Sequence, residues 1–162
     1  MDKEPKLEFR FAEEADAGLV LQFIRGLAEY EEMTDQVTAT EESLRREIFE
    51  KKGAEVLFVL EDGEEIGFAL FFHNFSTFLG KSGLYLEDLF IRPEKRGKGV
   101  GTAVFRELAR IARERGYGRM EWSCLNWNES GIQFYYSLGA EAMSEWTVYR
   151  LTEDGIAKLA GE

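Results

Sequence analysis

Apolar and polar positions change period several times along this chain. Leu7-Glu8-Phe9-Arg10-Phe11 alternates with a period of two and predicts a strand. Helical spacing follows, with Leu19, Val20, Phe23, Ile24 and Leu27 on one side of a helix that Asp16 can cap. Thr38 or Thr40, ahead of Glu41, signals a second helix with Leu44, Ile48 and Phe49 on one side. Residues 55–60 and 65–72 are strand-like and flank Asp62-Gly63, a hairpin turn signal. Residues 84–91 predict another strand, stopped by Pro93. Over 99–115 the apolar stripe Val100, Val104, Phe105, Leu108, Ile111 and Ala112 predicts a helix. Arg106, Arg110, Arg113 and Glu114 take its solvated side, and Gly116 suits its C-terminal cap. A short strand is expected at 120–125, a short helix at 130–138 ended by Gly139, and a last strand at 146–151. A terminal helix is expected at 154–159.

The order β-α-α-β-β-β-α-β-α-β predicts an α/β fold, a mixed sheet with helices on both faces. No repeat, low-complexity run or Pro/Ser-rich linker divides the chain, so residues 1–162 are expected to form a single domain. Pro5 and Pro93 sit where elements begin or end.

Composition removes several classes of function. A net charge of −11 argues against a nucleic-acid partner, which needs clustered Lys and Arg, and is compatible with a cationic small molecule. Cys124 is the only cysteine, so no intrachain disulfide can form and a cytoplasmic address is favoured. One cysteine and one histidine, His73, also exclude Cys/His zinc frameworks, and no metal is expected. The polar start Met1-Asp2-Lys3-Glu4 and the lack of a long apolar run give no support for secretion or a membrane.

The strongest chemical signal is Arg96-Gly97-Lys98-Gly99-Val100-Gly101, placed between a predicted strand and a predicted helix. The first turn of a helix has N–H groups without internal acceptors, and the helix dipole adds partial positive charge. Glycines remove the Cβ atoms that would keep a phosphate away from those amides. A Walker loop needs Gly-x4-Gly-Lys-Ser/Thr, and a dinucleotide loop needs Gly-x-Gly-x-x-Gly after an early strand; neither spacing is present. Arg-x-x-Gly-x-Gly, a pyrophosphate loop of the Gcn5-related N-acetyltransferase superfamily, fits at each position.

With that loop in place the chain resembles this superfamily over nearly its whole length, and within it the spermidine/spermine (diamine) acetyltransferases and their bacterial relatives. The narrower likeness rests on Leu27-Ala28-Glu29-Tyr30-Glu31-Glu32-Met33, Tyr85-Leu86-Glu87-Asp88-Leu89-Phe90-Ile91, and Trp127-Asn128-Glu129-Ser130-Gly131-Ile132-Gln133-Phe134-Tyr135. The resemblance implies a splayed sheet, acetyl-CoA as co-substrate, a small-molecule amine acceptor and a homodimer. It implies Leu89, Phe90 and Ile91 along the pantetheine arm. Arg96, Gly97, Lys98, Gly99, Val100, Gly101 and Thr102 would bind the pyrophosphate, and Asn128 and Ser130 the far part of the cofactor. It also implies Tyr135 as general acid to the leaving thiolate, with Tyr30 and Glu31 contacting the acceptor. Tyr136-Ser137-Leu138 departs from the animal diamine enzymes, which carry a basic stretch there.

Glu87 and Asp88 interrupt an apolar strand, where carboxylates are costly unless paired or used. An amine with a pKa of about 10 must lose a proton before it attacks a thioester. Glu87 is therefore expected to take that proton, through water, while Asp88 attracts the cation. Successive strand residues point to opposite faces, so a regular strand would not place both in one pocket; a local bulge would relax that rule. The predicted activity is transfer of acetyl to a primary amine of a diamine, polyamine or lysine-like acceptor. The alternatives are another small amine, such as an antibiotic or amino acid, and a non-catalytic acyl-CoA sensor.

Overall fold

The computed structural model describes residues 6–161. The polar start, Met1 to Glu4, and Pro5 lie outside the described residues. Among the described residues two compact units are present, residues 6–123 and 124–161.

The first unit is built on a sheet of β1 (Leu7–Phe11), β2 (Glu55–Glu61), β3 (Glu64–Ser76), β4 (Lys81–Ile91) and β5 (Met120–Trp122), in that spatial order. The first four strands pair antiparallel, and β5 joins β4 parallel. The hairpin read from Asp62-Gly63 forms as expected. Both residues have positive φ, 51° and 84°, which matches the right-handed twist of the flanking strands.

Alternation sorts the strands onto two faces. On one face Val56, Phe58, Leu60, Phe68, Leu70 and Phe90 pack with Val20 and Phe23 of α1 (Ala17–Tyr30) and with Ile48. Phe23 stacks on Phe68 with ring centroids 5.5 Å apart. Thr40 caps α2 (Glu41–Leu44), its side chain accepting from Ser43 N, and the helix continues through Arg45–Glu50 with a wider π turn. Helix α3 (Val100–Glu114) packs through Val104, Leu108 and Ile111, and the Phe105 ring meets Trp122 of β5 at 4.8 Å. Arg115, the C-cap of α3, lies over the ring of Phe71, whose position on β3 alternates with Leu70. The mixed sheet with helices on both faces is thus present.

Asp16 is at the N-cap position of α1 but makes no capping bond. Arg10 holds both of its carboxylate oxygens, at 2.8 and 3.0 Å, and that charge-assisted fork outcompetes a cap. Gly26 lies within α1, where glycine costs helix stability. Space explains it: a Cβ there would stand 2.7 Å from Cζ of Phe90. Gly26→Ala is therefore expected to destabilise the chain by about 1–3 kcal/mol in urea melts, through overpacking against Phe90.

The second unit contains α4 (Glu129–Ser137) and α5 (Glu153–Ala160), both close to their expected positions. The strand expected at 146–151 does not form. Trp146, Val148 and Tyr149 are exposed there, and among the described residues no strand pairs with the segment. Strand composition expresses itself only where a ladder partner is at hand.

Candidate active site

Strand β4 organises the site. Its parallel ladder to β5 runs from Leu84↔Met120 to Leu86↔Trp122 and stops. From Asp88 to Ile91 β4 keeps its partner β3, and beyond Leu86 it has no β5 partner. Backbone polar groups on that edge call for another hydrogen-bonding partner. Leu89 is half-buried and Phe90 and Ile91 are buried along the same stretch.

A bulge falls where the ladder ends. Leu70 pairs with Asp88 and Phe71 with Leu86, so Glu87 is an extra residue in β4. Plain alternation would put Asp88 on the face of Leu86. The extra residue turns Asp88 to the opposite face, shared with Phe90 and the α1 helix. Three carboxyl groups feel one another there. Burial, then the charges of Glu87 and Glu31, push the Asp88 carboxyl up to about 7. Burial and the Glu87 charge also raise the Glu31 carboxyl above its ordinary value. Glu31 caps the C-terminus of α1, and Glu87 is exposed. Among the described residues, no three His, Cys, Asp or Glu side chains gather closely enough to hold a metal ion.

Asp88 has a testable signature of its own. Between its ordinary value and about 7 the folded chain holds a proton that the unfolded chain releases. Stability must therefore fall as pH rises through that window, the reverse of a salt-bridged aspartate. Asp88→Asn is expected to remove this loss, raising stability by about 1–3 kcal/mol at pH 8 and by little at pH 5. Urea melts at both pH values check it; an unchanged slope would contradict the assignment.

The strand leads into the glycine loop through a single 3-10 turn, Pro93–Lys95. Gly97 and Gly99 adopt φ of 77° and 81°, and a Cβ on either would meet open space. Gly99 is the N-cap of α3, and no side chain caps that end. The N–H groups of Val100, Gly101 and Thr102 thus have no acceptor inside the helix. Val100 is 2% exposed and anchors the helix start in the core, while Gly97, Lys98 and Gly99 face solvent. An open cradle of amides at a helix N-terminus, with a lysine beside it, fits a pyrophosphate.

Arg96 is at this loop but turns back from it. Its Nε donates to Ile91 O at 2.8 Å, and its guanidinium lies 4.7 Å from the Tyr30 ring centroid and 5.2 Å from that of Phe90. Neither this stack nor the Gly26–Phe90 approach was legible in the sequence. A glycine inside a good helical stripe was the one available signal. In the second unit, Asn128 caps α4, its Oδ1 accepting from Gly131 N at 3.2 Å and from Ser130 Oγ at 3.3 Å. Tyr135 is on the same helix, its ring 5.7 Å from that of Phe134.

The structure thus brings Tyr30, Glu31, Glu87 to Ile91 and Arg96 to Thr102 into the first unit. Asn128, Ser130 and Tyr135 belong to the second. A model of the acetyltransferase (GNAT) family matches residues 22–140, from α1 through α4. The chain belongs to the GNAT family. A thialysine N-epsilon-acetyltransferase from Bos taurus is 33% identical over 94% of this chain and 96% of its own. A spermidine/spermine N(1)-acetyltransferase-like protein 1 from Homo sapiens is 27% identical over 96% of this chain and 24% of its own. The solved structure of an integron cassette protein from the V. cholerae mobile metagenome matches with a TM-score of 0.79 and 29% identity, covering 96% of this chain and 98% of that one. The chain is accordingly an acyltransferase of the GNAT family, whose members use acetyl-CoA as acetyl donor.

Proposed function

We propose that this chain transfers acetyl from acetyl-CoA to a primary amine of a small cationic acceptor, a diamine, polyamine or lysine-like molecule, within a ternary complex. The observation that carries this reading is the bulge at Glu87, which turns Asp88 toward the α1 side, where Glu31 ends the helix, on the strand that leads to the glycine loop. Relatives named for thialysine and for spermidine/spermine support an acceptor of this charge.

Gly97 to Thr102 would hold the pyrophosphate through backbone amides and Lys98, and the open edge of β4 at Leu89, Phe90 and Ile91 would hold the pantetheine arm. Asn128 and Ser130 would hold the far part of the cofactor. When bound, acetyl-CoA supplies an activated thioester. Tyr30 and Glu31 line the acceptor side, and Glu31 and Asp88 draw in the cationic amine. Glu87 accepts the amine proton through water, and the phenol of Tyr135 returns a proton to the departing sulfur.

Asp88 offers a second assignment of the proton acceptor, because its carboxyl titrates near neutrality. The two are separated by pH profiles. If Glu87 is the base, Glu87→Gln lowers kcat by about 100-fold or more and Asp88→Asn mainly raises the amine KM. Full activity of Glu87→Gln across the profile would move the role to Asp88. In either case the amine KM is expected to fall as pH rises through about 7, since Asp88 then carries its charge.

Thiol release from acetyl-CoA against a panel of amines tests the function itself. Spermidine, putrescine, a lysine analogue and an amino acid set should divide, with the side-chain amines and polyamines giving the fastest thiol release. Coenzyme A binding without release for any amine would favour a sensor on the same fold.

A further inference from the structure

We infer that Arg96 is a positioning residue for the amine acceptor, holding Tyr30 against the end of β4. This rests on the acetyl-transfer reading above and adds a task to a residue otherwise expected only at the pyrophosphate.

Three contacts define the arrangement. The Arg96 Nε–H is used by the carbonyl of Ile91 at 2.8 Å, which fixes the plane of the guanidinium at the last residue of β4. One ring near that plane is Phe90, at 5.2 Å, itself 8% exposed and packed against the bare backbone of Gly26. The other is Tyr30, at 4.7 Å, the last residue of α1 and 38% exposed. A buried ring, a cation and an exposed ring thus join the strand carrying Glu87 and Asp88 to the helix end carrying Glu31. Tyr30 ends α1, and the face of its ring lies against this cation. A guanidinium is suited to that: it is planar, stacks on aromatic faces, and keeps Nε for the backbone. An ammonium offers a phosphate the same charge but neither the plane nor the fixed Nε.

That chemical difference separates the two roles. With 1,5-diaminopentane as acceptor, Arg96→Lys is expected to raise the amine KM about tenfold, with the coenzyme A dissociation constant within about threefold of wild type. Tyr30→Leu should raise the amine KM similarly. The double variant Arg96→Lys/Tyr30→Leu should be no worse than Tyr30→Leu alone, since both remove one stack. A melting temperature within a few degrees of wild type, read alongside, excludes general unfolding.

Weaker coenzyme A binding with an unchanged amine KM in Arg96→Lys would overturn the inference, as would additive KM effects in the double variant. Calorimetric binding of the diamine to the coenzyme A-bound chain reads the same split without turnover. A wild-type chain that releases no thiol but binds the diamine, with Arg96→Lys weakening that binding, would sink the transferase reading and keep Arg96 in its role. A wild-type chain that does not bind the diamine would end both.

Discussion

Gly99→Val is expected to weaken coenzyme A binding by about 100-fold or more, a loss far larger than its effect on folding. The residue sits at φ 81° as the N-cap of α3, where a β-branched side chain is strained by about 1–2 kcal/mol or more. That strain alone is shared by any such site. The specific loss comes from filling the open space above the amides of Val100, Gly101 and Thr102, which no side chain caps. Gly116→Val supplies the control. Gly116 has φ 71° and equally open surroundings, but it follows the opposite end of the same helix. Both variants should lose similar melting temperature, and only Gly99→Val should lose coenzyme A affinity by calorimetry. Equal affinities in the two would remove the glycine loop from cofactor binding.

The second large effect is expected at Tyr135. Tyr135→Phe deletes one oxygen and keeps the ring beside Phe134. If the phenol protonates the departing sulfur, turnover should fall by about 100- to 1,000-fold while coenzyme A affinity and melting temperature stay near wild type. Thiols with a lower pKa need less help to leave, so the defect should shrink with an electron-poor aryl thioester donor. Turnover unchanged in Tyr135→Phe would return the residue to packing on α4. Tyr136, its neighbour, is 53% exposed, and Tyr136→Phe serves as the matched control.

Much of the frame could be read from the sequence because local rules and tertiary demands agree there. Asp62-Gly63 can take two positive φ angles in succession, so the β2–β3 hairpin was readable from two residues. The stripe from Val100 to Ala112 needed only helical spacing, and Gly99 marked its start. Where the outcome depended on distant partners, the pattern failed. Asp16 looks like a cap, yet Arg10 of β1 takes its carboxylate. The segment 146–151 has strand composition, yet no described strand lies alongside it.

The site divides along the same line. The amide cradle is local, and its residues follow one another from 96 to 102. The carboxylate cluster is not: Glu87 and Asp88 were visible as misfits in an apolar strand, but the face each occupies depends on a bulge set by pairing with β3. Glu31 joins them only because α1 packs against that bulged strand, Phe23 meeting Phe90 at 6.1 Å. The stack of Tyr30, Arg96 and Phe90 likewise depends on Gly26, which clears the space for Phe90.

The central claim is that a cluster of carboxylates selects a cationic amine for acetyl transfer. It is tested most directly by the ratio of kcat/KM for 1,5-diaminopentane to that for pentylamine, two acceptors of one length differing by a second charge. At pH 8, above the value of about 7 for Asp88, that carboxylate carries its charge, and the diamine should be favoured by about tenfold or more. The ratio should shrink at pH 6, where Asp88 holds its proton, and in a Glu31→Gln/Asp88→Asn variant. A ratio near one at both pH values, in an enzyme that acetylates both amines, would contradict the claim.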